Sequence, residues 1–302
     1  MDKFNAICVI IGTHPKYEER GYCRQTYARA SFLFATRSQT KQVITMFIVP
    51  HFPVDAKDLA VQAQIYKEIE QQGYSLRQLP TESNKQDFAN FLATIDLGRI
   101  VLHPHSDDSG FVPIRFNPEL DYINTTHLAT GMHTDGSFSK EKIGIVVMYC
   151  EQSIKGQGST KIIQFRKALQ HLNRLNPEEV PYLSEPTTLA VDRKGQRACG
   201  SILSQNPDGR LAVRYRGDTG DHTAQIDVHP KAQRIVSQLR DFVEDEVNQF
   251  IFTLKPGEIL ILDNTSVLHG RTAFDPTKPR VLYRCWFDGC APGLQLGFKL
   301  TP

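Results

Sequence analysis

The chain has 302 residues, 40% of them hydrophobic and 23% charged, the balance of an ordinary globular protein with enough apolar mass to bury a core without staples. Its 35 basic and 33 acidic residues leave a net charge of +2, too little for binding to a polyanion, so no nucleic acid is expected as a partner. The six cysteines (Cys8, Cys23, Cys150, Cys199, Cys285, Cys290) contain no CxxC pair, which argues against structural zinc or a disulfide framework and fits reduced thiols in a cytoplasm.

In chain order, Ala6 to Ile11 reads as a short buried strand, with neither the basic start nor the small-residue cleavage site of a signal peptide. No apolar stretch approaches the ~20 residues of a spanning helix, so no membrane partner is expected. Residues 13–42 have poor periodicity and read as irregular or partly helical. Residues 43–49 (VITMFIV) read as a buried strand. Residues 56–72 have helical spacing and stop at Gly73. Tyr74 to Leu79 reads as a strand, Gln86 to Leu97 as a helix ending near Gly98, and Arg99 to His103 as a short strand.

Strong helix signals then vanish from about 100 to 165. Turn residues separate strand candidates there, the best being Ile143 to Cys150 and Thr160 to Phe165. Gln164 to Leu175 reads as helical. Residues 186–229 read as strands and loops, with turns at 206–209 and 217–221. His229 to Val247 reads as a helix with Pro230 in its first turn. Phe250 to Leu254 and Glu258 to Leu262 read as strands parted by Lys255-Pro256-Gly257, and Arg280 to Asp288 as a final strand. The pattern predicts an antiparallel double sheet buttressed by helices.

Three segments carry chemistry. His133-Thr134-Asp135 places an imidazole and a carboxylate two apart, and on an extended chain both point to one face. With ten histidines in the chain such a pair arises easily by chance. Another, His103-Pro104-His105, has the same spacing but no third ligand, and is read as structural or exposed. The second segment strengthens the first: His269 follows the buried strand Leu260 to Asn264, between apolar residues and glycine. Two histidines and one carboxylate form the facial set that leaves positions open on non-haem Fe(II). The third segment contains Arg280 and Arg284, 11 and 15 residues beyond His269. If 274–279 is a hairpin loop and 280–288 a strand returning beside the metal, the two guanidinium forks share a face about 13 Å apart along it. Such forks suit anionic groups.

These residues resemble the Fe(II)/2-oxoglutarate-dependent dioxygenases of the taurine dioxygenase and clavaminate synthase-like superfamily. The resemblance runs from about 74 to 288. It rests on His133-Thr134-Asp135-Gly136, Gly158-Ser159-Thr160, Gly257 to Asn264, His269-Gly270-Arg271-Thr272-Ala273-Phe274, and Arg280 with Arg284. It implies an α+β, mainly β, fold: a double-stranded β-helix (jelly roll) core at roughly 100–290, with flanking helices and a helical insertion, in one domain spanning 1–302.

The resemblance also implies roles. His133, Asp135 and His269 hold iron. Arg280 and Thr160 bind the distal carboxylate of 2-oxoglutarate, O2 is the oxidant, and Arg284 faces the substrate. Asn124, shortly before the metal motif, is a candidate wall of the substrate pocket, while Arg271 either assists a ligand or satisfies backbone carbonyls. The implied activity is hydroxylation of an unactivated C–H in a small molecule, an amino acid or related acid, with release of succinate and CO2. Sulfonate or alkyl-acid catabolism, desaturation or cyclisation, and a non-catalytic binding role stay open, as does the oligomeric state.

Overall fold

The computed structural model describes residues 30–33, 43–46, 59–120, 122–217 and 224–300. The expected strand at Ala6 to Ile11 lies outside them. The chain divides into two units, Met1–Ile48 and Val49–Pro302. In the first, β1 (Ala30–Leu33) pairs antiparallel with β2 (Val43–Met46). Ala30–Leu33 falls in the stretch expected to be irregular or partly helical. It is a strand because it has a cross-strand partner, which outweighs weak local periodicity.

The second unit starts with α1 (Leu59–Gln72), β3 (Tyr74–Gln78) and α2 (Lys85–Leu92). Asn84 and Asp87 cap α2 reciprocally. The helix ends at Leu92, not Leu97. The Thr94 hydroxyl donates to the Phe91 carbonyl and the Asp96 carboxylate accepts from Gly98 N–H, local bonds that compete with helix propagation. Then come β4 (Ile100–Val101), β5 (Val112–Ile114), β6 (Thr130–His133), β7 (Ile145–Gln152), β8 (Thr160–Gln164) and α3 (Phe165–Leu175). Five short strands follow: β9 (Leu189–Arg193), β10 (Gln196–Gly200), β11 (Leu203–Gln205), β12 (Leu211–Val213) and β13 (Ala224–Val228). A 3-10 turn at Pro230–Ala232 leads into α4 (Gln233–Glu244), so the expected helix begins a turn late. The chain closes with β14 (Phe250–Phe252), β15 (Glu258–Asp263), β16 (Val267–Arg271) and β17 (Val281–Phe287).

Two antiparallel sheets form the body. One has the order β14-β8-β16-β6; the other runs β3-β15-β7-β17-β4, with β5 also on β17. The Lys255-Pro256-Gly257 turn carries the chain from one sheet to the other. So does the 272–280 segment, which corrects the hairpin expectation: β17 pairs with β7 and not with β16. An Asp275 side-chain turn onto Thr277, between two prolines, directs this crossover.

Alternation of side chains places each face. Val146, Met148 and Cys150 of β7, Leu260 and Leu262 of β15, Ile162 of β8, Val267 of β16, and Leu282 and Trp286 of β17 share the cluster between the sheets. Their neighbours Ile145, Val147, Tyr149, Ile259 and Ile261 pack outward on Ile65 and Ile69 of α1 and Phe88 and Phe91 of α2. Met132, Ile163 and Leu268 pack the other way, under Phe165, Leu169 and Leu172 of α3 and Ile235 and Leu239 of α4. By the same period of two, His133, Thr160, His269 and Arg284 belong to the inter-sheet face. Among the described residues no helix is long and apolar enough to cross a membrane. The described cysteines are free, with Cys150 and Cys285 buried.

Gly270 lets β6 and β16 approach next to the His133–His269 pair. A Cβ there would stand 2.7 Å from the Thr130 carbonyl oxygen and 3.1 Å from that of Gly131. Gly270→Ala is expected to lower stability by about 1–3 kcal/mol, as overpacking in a buried sheet does. Urea unfolding with an unchanged m-value checks it; an unchanged midpoint would contradict the close approach.

Candidate metal centre

His133 and His269 face each other directly across β6 and β16. Their ring centroids are 4.5 Å apart. His269 therefore lies within a strand of its own, not just after one. The chain leaves β6 at His133 and turns, and Asp135 in this turn brings its Oδ1 to 3.5 Å from His133 Nε2 and 3.8 Å from His269 Nε2. The three candidate ligand atoms lie within 4.8 Å of one another.

The turn is clamped from both sides. Thr134 N–H donates to the Tyr215 carbonyl at 2.8 Å, and Tyr215 N–H donates to the Thr134 hydroxyl at 3.0 Å. Asn264, just past β15, accepts from Asp135 N–H at 2.8 Å and donates to the Asp135 and Ile143 carbonyls at 3.0 and 2.9 Å.

Tautomer and charge suit a cation. His133 Nδ1–H donates to the Gly131 carbonyl at 2.9 Å, which turns the lone pair of Nε2 toward Asp135. Burial, and then the neighbouring His133, push His269 down to about 3, so its imidazole is neutral and able to ligate. Burial pushes the Asp135 carboxyl up, but the Arg284 guanidinium beside it holds it well below the usual carboxylate range. Arg284 Nη1 lies 3.1 and 3.0 Å from the two Asp135 oxygens, and Trp286 Nε1–H donates to Oδ2 at 2.7 Å. The Trp286 donor on Oδ2 leaves Oδ1 toward the imidazoles. Two imidazoles and one carboxylate are a donor set that fits a divalent iron with open positions.

The other expected residues fall nearby. Thr160 opens β8, two residues before Ile162, the partner of His269; that is roughly 7 Å along the strand. Arg280 Nη2–H donates to the Gly158 carbonyl at 3.0 Å, at the same end of β8. Gly158 has φ +58°, and a Cβ there would lie 2.4 Å from Arg280 Nε, so glycine makes the cradle for this arginine. Arg271 donates to the Thr126 and Leu128 carbonyls at 2.8 and 2.7 Å, the structural option of its two readings. Arg271 and Arg280 both lie 5.0 Å from the Phe274 ring. Burial lowers Arg280 to about 10 and Arg271 to about 9. Neither has a carboxylate partner among the described residues, and Arg280 Nη1 is buried without a hydrogen bond. A buried cation in this state favours an incoming anion.

Arg284, expected at the substrate, is engaged with Asp135, though its Nε is buried without a partner. Asn124 is buried in a 3-10 turn (Ile123–Thr125), its Nδ2 3.5 Å from the Pro113 carbonyl. Two residues earlier, Tyr122 lines a cavity of about 110 Å³ with His103, His105, Phe138, Arg193 and Lys194. The His103 ring packs edge-on to Trp286 at 4.7 Å, which joins this cavity to the metal carboxylate.

Sequence reasoning missed the Asn264 clamp, the Trp286 bond to Asp135, the cavity role of His103, and Arg216, which bridges to His133 on the backbone and is buried beside it. Trp286 was recoverable: it sits two residues beyond Arg284 on the same strand face.

A profile of the taurine catabolism dioxygenase TauD, TfdA family matches residues 51–286. Rat mitochondrial trimethyllysine dioxygenase (Rattus norvegicus) is 29% identical over 172 residues, covering 53% of this chain and 40% of that protein. The chain thus spans about two-fifths of the length of the curated relatives it matches. Among solved structures, asparagine oxygenase in complex with Fe(II), 2S,3S-3-hydroxyasparagine and succinate is similar with a TM-score of 0.61 at 16% identity, covering 76% of this chain and 78% of that one. The non-haem iron oxygenase OrfP in complex with Fe and alpha-ketoglutaric acid is similar with a TM-score of 0.58 at 15% identity, covering 76% and 80%.

Asn264→Ala removes the hydrogen bonds that fix the Asp135 backbone. Metal affinity is expected to fall about 10–100-fold, as for other supports of metal ligands. Anaerobic Fe(II) titration by calorimetry measures it, and wild-type affinity in the variant would contradict the clamp.

Proposed function

The chain belongs to the taurine catabolism dioxygenase TauD, TfdA family, and we propose that it is an Fe(II)- and 2-oxoglutarate-dependent oxygenase that hydroxylates an unactivated C–H bond of a small amino acid or related acid. On this reading the two facing sheets of the Val49–Pro302 unit are the halves of a double-stranded β-helix. One juxtaposition supports it most: a facial triad beside a buried arginine that lacks a carboxylate.

His133, Asp135 and His269 would hold the iron. The bound iron supplies activation of O2, coupled to oxidative decarboxylation of 2-oxoglutarate to succinate and CO2. The protein's task is to bind, orient and neutralise. Arg280 offers Nη1–H to the distal carboxylate of 2-oxoglutarate, and Thr160 stands at the same end of β8. Phe274 packs on the Arg280 guanidinium and limits its swing. Arg284 keeps Asp135 ionised through direct contact, and its remaining Nε–H is positioned to share the guanidinium with a substrate acid. Trp286 orients Asp135 from the far oxygen. Asn124 and Tyr122 belong to the substrate side.

The known acceptors of the similar proteins support the amino acid class: their names give trimethyllysine for the rat enzyme and asparagine for the structural neighbour. The cavity of about 110 Å³ is well below the ~300 Å³ lower range of drug-sized sites, which suits a small substrate.

A charge-assisted hydrogen bond contributes about 1.5–3 kcal/mol. Arg280→Ala is therefore expected to raise the KM for 2-oxoglutarate about 10–100-fold in a succinate-formation assay, and His269→Ala to reduce succinate formation to background. Full 2-oxoglutarate turnover in His269→Ala, or an unchanged KM in Arg280→Ala, would sink the respective assignments.

A further inference from the structure

Three successive carbonyls ahead of the first metal strand are held from the end of β16. Arg271 Nη2–H groups donate to the Thr126 and Leu128 carbonyls at 2.8 and 2.7 Å. Between them, the His127 carbonyl accepts from Phe274 N–H at 3.0 Å. The held segment follows Tyr122 and Asn124 and runs into β6, which carries His133.

The other edge of the same 271–274 stretch is tied to the start of β8. Arg271 stands opposite Thr160 in the β16–β8 pairing, so the two side chains share a face. Thr272 N–H donates to the Ser159 carbonyl at 2.9 Å, and Ser159 N–H donates to the Thr272 hydroxyl at 2.8 Å. Gly158 N–H donates to the Ala273 carbonyl at 3.1 Å, while the Gly158 carbonyl accepts from Arg280. Phe274 completes the link with its side chain: the guanidinium groups of Arg271 and Arg280 each lie 5.0 Å from its ring centroid. Four residues thus join the arginine assigned to the cosubstrate to the segment on the substrate side.

Arg271 is buried, its Nε has no hydrogen-bond partner, and its Nη2 is spent on two neutral carbonyls. Carbonyl dipoles compensate a buried guanidinium less well than a carboxylate does. A second buried guanidinium, that of Arg280, shares its ring and repels it. An anion on Arg280 offsets that repulsion, so Arg271 holds the carbonyls more firmly once the cosubstrate site is filled. We propose that Arg271 is a positioning residue that couples the two halves of the site: a carboxylate on Arg280 tightens its hold on the 126–128 carbonyls and so fixes the substrate-side segment. The inference rests on the cosubstrate role of Arg280 given above, and adds a route by which cosubstrate occupancy reaches the substrate side. Linkage requires the converse as well: a docked segment favours the anion.

Amide hydrogen exchange reads this hold directly, because Phe274 N–H makes one of the three bonds. Full-length protein with Fe(II), kept anaerobic, is compared with and without 2-oxoglutarate by mass spectrometry. The cosubstrate should slow exchange about tenfold over 122–130 and 272–276 and leave the β9–β10 hairpin unchanged, a coupling of ordinary size. Arg271→Lys keeps the charge and loses the planar fork. It should abolish the slowing and weaken 2-oxoglutarate binding by the same factor, about tenfold, because the coupling is reciprocal. Phe274→Leu keeps the backbone bond and removes the shared ring, and should also reduce the response to cosubstrate. Equal exchange with and without 2-oxoglutarate in the wild type, equal slowing throughout the chain, or a full response in Arg271→Lys or Phe274→Leu overturns the assignment. The metal-to-ligand charge-transfer absorption of the wild-type sample separates the two readings. If the band forms and no local slowing accompanies it, only the coupling falls. If no band forms, the cosubstrate reading falls and the coupling with it.

Discussion

The buried carboxylate of Asp135 is the constraint around which this site is organised. A lone buried carboxylate is costly and would take a proton. Here Arg284 and Trp286 reach it from one sheet, and two imidazoles approach from the other. Those contacts keep it charged, fix which oxygen faces the histidines, and tie the β17 strand to the β6 turn. Since β6 and β17 lie in different sheets, the same contacts also pin the two layers together at the functional end of the molecule.

The geometry follows from a period of two acting on both sheets. Each strand sends alternate side chains into the shared interior, where apolar residues fill one part and the polar cluster another. Cross-strand pairing sets His133 against His269 without any long-range device. The polar part is intelligible only with an anion and a cation added: two facing imidazoles, that of His269 neutral, beside a carboxylate, and Arg280 buried without an acid among the described residues. Removing the Arg280 charge would relieve desolvation, so its presence speaks for a ligand rather than for stability.

Much of this was legible in the sequence. The triad and the pair Arg280 and Arg284 were suggested by residue type, strand alternation and spacing from His269, while Thr160 and the roles of the two arginines were expected from the family resemblance. Most strands and helices also lie where periodicity places them. Two things were not legible. Sheet membership was one: the 274–279 segment reads as a hairpin loop because a short proline-containing link between strands serves a turn and a crossover equally well. The other was contact across the layers. Asn264 looks like a strand-end turn residue, and His103 like a structural histidine, until folding brings the Asp135 backbone to one and Trp286 to the other. The end of α2 was misjudged for a local reason, since Thr94 and Asp96 favour side-chain bonds to the backbone over another helical turn.

The central claim is that His133, Asp135 and His269 bind Fe(II) together with 2-oxoglutarate. Anaerobic titration of the protein with both, followed by visible absorption, tests it most directly. The account predicts a metal-to-ligand charge-transfer band that saturates at about one iron per chain, as one facial triad requires, and that is lost in His133→Ala. A wild-type protein without the band, or a His133→Ala variant that retains it, would contradict the account.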